Sequence, residues 1–199
     1  AHANVQELVL PADQFPTGFT VQEVSTGQVE QIAQEILNTT KSAKFTPSSC
    51  AQLNLLPERF DADKVGLAVA TKGAEALSSS VASSGATIAK QRASVTGKCA
   101  NIGAQFTEGE LAGAKVSVKQ AIVTAPPVKA SDVLVVDQRS SVEMTGMPAN
   151  ESLARLGMAA VNGYLVTVQY RSAGTQPVDE AVFNEVFVKA VNRVVEKTR

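Results

Sequence analysis

Cys50 and Cys99 are the residues with the clearest chemistry in this chain, and no third cysteine competes with them. One intramolecular disulfide is therefore the expected state, and it implies an oxidising, extracytoplasmic setting. The alternative is a pair of buried free thiols, since free cysteine is among the most buried residue types. A bridge closing a loop of about 50 residues would stabilise the fold by about 4 kcal/mol through chain entropy. The pair lacks Cys-x-x-Cys spacing, so thiol redox catalysis is not expected. Two cysteines and one histidine are also too few for a tetrahedral zinc site.

The remaining reactive residue types are sparse. The single histidine, His2, stands beside the N-terminus, a poor place for the base that Ser/His/Asp or Cys/His catalysis requires. No Gly-x-Ser-x-Gly elbow occurs. Gly97-Lys98 lacks the earlier glycine of a phosphate loop, and Cys99 stands where serine or threonine would hold magnesium. Asp61-Ala62-Asp63 opens like a calcium loop but is not continued, so a solvated turn is the better reading. Asp132, Asp137 and Glu143 lie on strand-like segments, whose period of two gives no reason for them to converge. Asn38-Thr39-Thr40 and Asn150-Glu151-Ser152 fit the glycosylation pattern, which chance supplies readily in a chain this rich in serine and threonine. The expectation is a non-enzymatic protein with no cofactor and no metal.

One cluster suggests binding. Met144, Met147 and Met158 fall at strand ends around a single connection, and methionine suits adaptable apolar surfaces. Together with Tyr164 and Tyr170 they could line a ligand cleft between sheet and loop. Filling the core is the plainer role for them.

The elements that would position these residues can be read from periodicity. The 199 residues suffice for one domain with a substantial core. The division expected is a tail or cloning remnant over residues 1–9 and a single α+β domain over 10–199. Leu8 to Gly18 reads as an extended lead-in, and Phe19 to Val24 as a short strand. Ser25 and Gln28 have capping-box spacing. Val29, Ile32, Ala33, Ile36 and Leu37 then form one apolar helical stripe ending near Thr39. Thr46-Pro47 starts a short helix, with Cys50, Leu53 and Leu56 inward and Pro57 at its end.

Val65, Leu67, Val69 and then Leu77, Ser79, Val81 alternate around a Lys72–Glu75 hairpin. Ala82 to Ala86 reads as a turn, and Thr87 to Val95 as a helix delivering Cys99. Strands follow at Ala104–Phe106, around Val116–Ile122, and from Val133 to Met144. Asn150 to Leu156 reads as a loop or a single helical turn. Met158–Val161 and Tyr164–Tyr170 flank Asn162-Gly163, the favoured pair for a type I′ hairpin. Pro177 to Val195 is a helix with a wide apolar face of Val182, Phe183, Val186, Phe187, Ala190, Val191, Val194 and Val195. The sum is α+β: a mostly antiparallel twisted sheet with helices packed on one face and an amphipathic C-terminal helix.

The balance of 18 basic against 19 acidic residues gives no electrostatic footprint for nucleic acid. No apolar run reaches the roughly 20 residues of a transmembrane helix. The first residues lack the charged and apolar regions of a signal peptide, so a leader or a lipid-anchored cysteine is expected to have been removed upstream.

Leu10-Pro11, Phe15-Pro16-Thr17-Gly18-Phe19 and Thr46-Pro47-Ser48-Ser49-Cys50-Ala51 together resemble mycobacterial and related actinobacterial envelope proteins, which are secreted or lipid-anchored and of uncharacterised function. The layout is similar to the extracellular sensor domain of a mycobacterial serine/threonine kinase. The resemblance spans most of the chain from about Leu10. It implies a sheet-and-helix domain at the cell envelope and a cleft for a small or lipidic ligand, or contact with an envelope protein. The kinase sensor domain is expected to carry two disulfides, where this chain can form one. The function expected is a binding or sensor-like domain; the alternative is a structural or accessory protein of an envelope complex.

Overall fold

The capping box forms as its spacing demands: Gln28 N donates to Ser25 Oγ, and Ser25 N donates to Gln28 Oε1. In the computed structural model, which describes residues 4–53, 61–83, 88–109 and 111–199, these bonds open helix α2 (Thr26–Lys41). A short helix α1 (Val5–Leu8) precedes it, and α3 (Ile88–Ser94) and α4 (Glu180–Lys197) follow. His2, Leu56, Pro57 and the turn positions 84–86 lie outside the described residues.

The strands are β1 (Thr20–Val24), β2 (Ala43–Thr46), β3 (Val65–Lys72), β4 (Glu75–Ala82), β5 (Asn101–Phe106), β6 (Lys115–Val123), β7 (Asp132–Glu143), β8 (Asn150–Val161) and β9 (Tyr164–Arg171). They form a single nine-stranded sheet in the order β1-β3-β4-β9-β8-β7-β6-β5-β2. Each neighbouring pair is antiparallel. The β8–β9 hairpin turns at Asn162 and Gly163, both at positive φ as a type I′ turn requires.

The α+β class, the antiparallel sheet and the amphipathic C-terminal helix all stand. The helical cover, however, is two-sided. Strand side chains alternate between faces, and the two parities of β7, β8 and β9 enter different clusters. Val135, Ala159, Val161, Val166, Val168 and Tyr170 pack with Phe183, Val186, Phe187, Ala190, Val191 and Val194 of α4. Leu134, Val136 and Met158 pack on the other face with Ile88 and Val95. The helix α2 also lies on this second face, where Val29 joins Val24 and Ala62 over Val65, Leu67 and Val69 of β3.

Four local expectations change. The segment assigned to a tail is structured from Asn4: Val5, Leu8 and Val9 are buried, and Arg193 of α4 donates to the Glu7 carbonyl at 2.9 Å. The lead-in from Leu8 is therefore not extended throughout, since α1 ends there and a 3-10 turn spans Ala12–Gln14. Asn150–Leu156 is not a loop but the first half of β8, paired residue for residue with β7. The short helix after Thr46 is a 3-10 segment (Ser48–Leu53), and it follows an edge strand, β2, that carries no periodic signal of its own.

Candidate functional site

The helix α2 runs from β1, at one edge of the sheet, to β2, at the opposite edge. Its first half is seated, with Val29 and Ala33 buried. Its second half is not: Ile36 belongs to the same apolar stripe yet is 43% exposed. Under that half lies a cleft of about 540 Å³, within the range typical of small-molecule sites.

Glu35, Ile36, Leu37, Thr39 and Thr40 form its roof, and Phe45, Ile102, Ala104, Phe106, Val116 and Val118 its floor. The floor residues share one sheet face because they are cross-strand partners: Phe45 opposes Ala104, Ala104 opposes Val116, and Ile102 opposes Val118. Cys50, Ser94, Gln120 and Gln138 close the inner end. The disulfide forms between Cys50 and Cys99, whose Cα atoms are 5.7 Å apart. Cys50 follows β2 and Cys99 precedes β5, so the bridge ties the outgoing end of one strand to the incoming end of its neighbour.

Two glutamines extend this inner wall. Gln120 Nε2 donates to the carbonyls of Cys99 at 3.2 Å and Ser94 at 3.4 Å. Gln138 Nε2 in turn donates to Gln120 Oε1 at 2.9 Å. Neither residue stands out in the sequence by type or motif. A signal exists nonetheless: Gln120 continues the inward parity of Val116 and Val118, and Gln138 continues that of Leu134 and Val136.

A second, open groove of about 660 Å³ lies on the α4 face, lined by Lys119, Asp137, Arg139, Leu153, Arg155, Val178 and Glu180. Arg155 is the most connected side chain described there. Its Nε and Nη2 donate to the two Asp137 oxygens at 2.6 and 2.9 Å, its Nη1 pairs with Glu180 at 3.2 Å, and its guanidinium stands 5.8 Å from the centre of the Phe183 ring. The two carboxylates are thus both bonded to one guanidinium, an arrangement that holds β7, β8 and α4 together. Asp132 is committed elsewhere: Arg92 donates to it at 3.0 Å. That bond, the charge of Arg92 and the Val133 amide hold the Asp132 carboxyl below its usual range, against partial desolvation. Among the described residues no group of three or more His, Cys, Asp or Glu is placed to hold a metal.

The five residues expected to line a methionine–tyrosine cleft are distributed over the fold. Met144 and Met147 sit in the β7–β8 turn, where Met147 N donates to the Met144 carbonyl at 3.0 Å, and Met147 is 66% exposed. Met158 is buried on the α3 face. Tyr170 is buried on the α4 face, its hydroxyl donating to Glu75. Burial first, then that bond and the Glu75 charge, push its phenol well above the usual tyrosine range. Tyr164, at the far end of β9, is half-buried beside the hairpin turn.

No family model matches the chain, and no curated protein matches it. Solved structures do. An uncharacterized protein of Mycobacterium smegmatis, the Rv0999 ortholog, superposes with a TM-score of 0.55 at 16% identity, over 92% of each chain. The extracellular domain of PknH from Mycobacterium tuberculosis aligns with a TM-score of 0.40 at 14% identity, over 88% of this chain and 97% of that one. The resemblance to mycobacterial proteins stands as a likeness of fold.

Proposed function

We propose that this chain is a non-enzymatic, extracytoplasmic binding or sensor-like domain that holds a small apolar or lipidic ligand in the cleft beneath the second half of α2. The observation that carries this reading is the unseated half of the α2 stripe. A helix that packs its first two turns and then holds Ile36 and Leu37 above a floor of Phe45, Ile102, Val116 and Val118 encloses apolar space rather than core. Filling that space would remove apolar surface from water at about 25 cal/mol per Å². The Cys50–Cys99 bridge supports an oxidising compartment. The commitment of Asp132 and Asp137 to arginines supports the absence of carboxylate catalysis.

The test uses N-phenyl-1-naphthylamine, an uncharged dye that fluoresces in apolar sites. Saturable uptake is expected at micromolar concentrations. Ile36→Glu, at a half-exposed roof position that tolerates a polar residue, is expected to weaken uptake at least tenfold while leaving the circular dichroism spectrum unchanged. Absence of saturable uptake by the unaltered protein, or equal uptake by the variant, would overturn the reading.

A further inference from the structure

The polarity of the two-glutamine chain is set from its inner end. The carbonyls of Ser94 and Cys99 can only accept, so Gln120 must turn its NH₂ toward both. Its Oε1 then faces Gln138, which must answer with its own NH₂. What remains on Gln138, which lines the cleft, is its carbonyl oxygen, to which no donor is bonded among the described residues, and the second N–H of its amide. This oxygen accepts and cannot donate, and the amide cannot flip without breaking the bond to Gln120.

The charges around the cleft agree with this. Among the described residues lining it there is no lysine, arginine or histidine, and its one ionisable side chain is Glu35, an acid. A carboxylate or phosphate entering head-first would lose its hydration to meet one neutral N–H, the Gln138 oxygen it cannot pair with, and no cation. An O–H or N–H group would replace its water with the Gln138 oxygen.

Resting on the apolar-cleft reading, we propose that the site selects aliphatic ligands carrying an uncharged hydrogen-bond donor at the buried end, an alcohol or primary amide, and rejects the corresponding fatty-acid anion. Discrimination of about tenfold or more is expected, because an alcohol or amide pairs with the part-buried Gln138 oxygen while a carboxylate leaves it without a donor.

The experiment measures displacement of N-phenyl-1-naphthylamine by 1-decanol, decanamide and decanoate, which share an apolar body. At pH 7.5 the alcohol and amide are expected to compete at least tenfold better than decanoate. Lowering the pH to 4.5 converts a large share of decanoate to the acid, an O–H donor, and is expected to narrow the gap. Gln138→Lys keeps a donor for Gln120 and places a cation at the wall, so the order is expected to reverse in favour of decanoate. Equal competition by all three in the unaltered protein, or an unchanged order in Gln138→Lys, would overturn the proposal and leave the cleft itself standing. Failure of the dye to bind at all would overturn both.

Discussion

Arg155 and Asp137 face each other in register across β8 and β7, joined by two parallel hydrogen bonds of 2.6 and 2.9 Å. The Arg155 side chain is only 9% exposed, whereas Asp137 is 39% exposed. That asymmetry decides which half of the pair matters. Asp137→Ala leaves a buried guanidinium with Glu180 alone, itself 71% exposed. A loss of about 2–3 kcal/mol is expected, below the usual cost of breaking a fully buried pair. Arg155→Met keeps the volume and removes the buried charge, and Asp137 can then hydrate, so a change within about 1 kcal/mol is expected. Urea denaturation of both variants decides it; a costlier Arg155→Met than Asp137→Ala would contradict the argument.

The Arg92–Asp132 pair fastens α3 to the start of β7, and it predicts a pH dependence. The Arg92 hydrogen bond and charge lower the folded-state pKa of Asp132 beneath its ordinary value of 3.8. An acid with a depressed folded pKa contributes stability that is fully present above its unfolded pKa and drains away as pH falls through the folded one. The contribution should therefore be constant from neutral pH to about 5 and decline below about 4. Both side chains are 41% exposed, so salt should weaken it. The difference in Tm between the unaltered protein and Asp132→Asn, measured from pH 7 to pH 2.5, is expected to shrink on acidification; a constant difference would exclude the pair as its source.

How far the sequence discloses this fold depends on how local each cause is. The α2 capping box, the Asn162-Gly163 turn and the α4 stripe involve residues within a few positions of each other, and each is legible. The first half of β8 is not, because Arg155 reads as a surface charge until Asp137 is known to lie across from it. The strand β2 is four residues long and exists through its pairing with β5. The cleft is least legible. The apolar stripe of α2 looks like core throughout, and only the placement of β1 and β2 at opposite sheet edges carries its second half over open space.

Removing the disulfide should affect stability and site together. The two cysteines are separated by 49 positions, so Cys50→Ala/Cys99→Ala is expected to cost up to about 4 kcal/mol through loss of chain constraint. The Cys99 carbonyl also anchors Gln120, and Cys50 itself lines the cleft. Dye uptake by the double variant should therefore weaken at temperatures where its circular dichroism remains native. Unchanged uptake would separate the bridge from the site.

Gly157 of β8 lies beneath Phe183 and Phe187 of α4. A Cβ added there would stand 2.7 Å from Phe183 Cζ and 2.9 Å from Phe187 Cε2. The two rings stack on each other with centroids 5.5 Å apart, and both side chains are fully buried, so neither can yield without moving the other. Gly157→Ala is expected to cost about 1–3 kcal/mol by overpacking. A backbone effect would act in the other direction, because alanine suits a strand at ordinary φ better than glycine does. Gly27 provides the control: it lies in the first turn of α2 with nothing within 4 Å of an added Cβ, so Gly27→Ala should stabilise by about 0.5–1 kcal/mol. Phe187→Leu in the Gly157→Ala background should recover part of the loss, since it removes the nearer part of the second ring. Additive effects of those two substitutions in denaturant titrations would mean that the steric contact does not limit how closely α4 approaches the sheet.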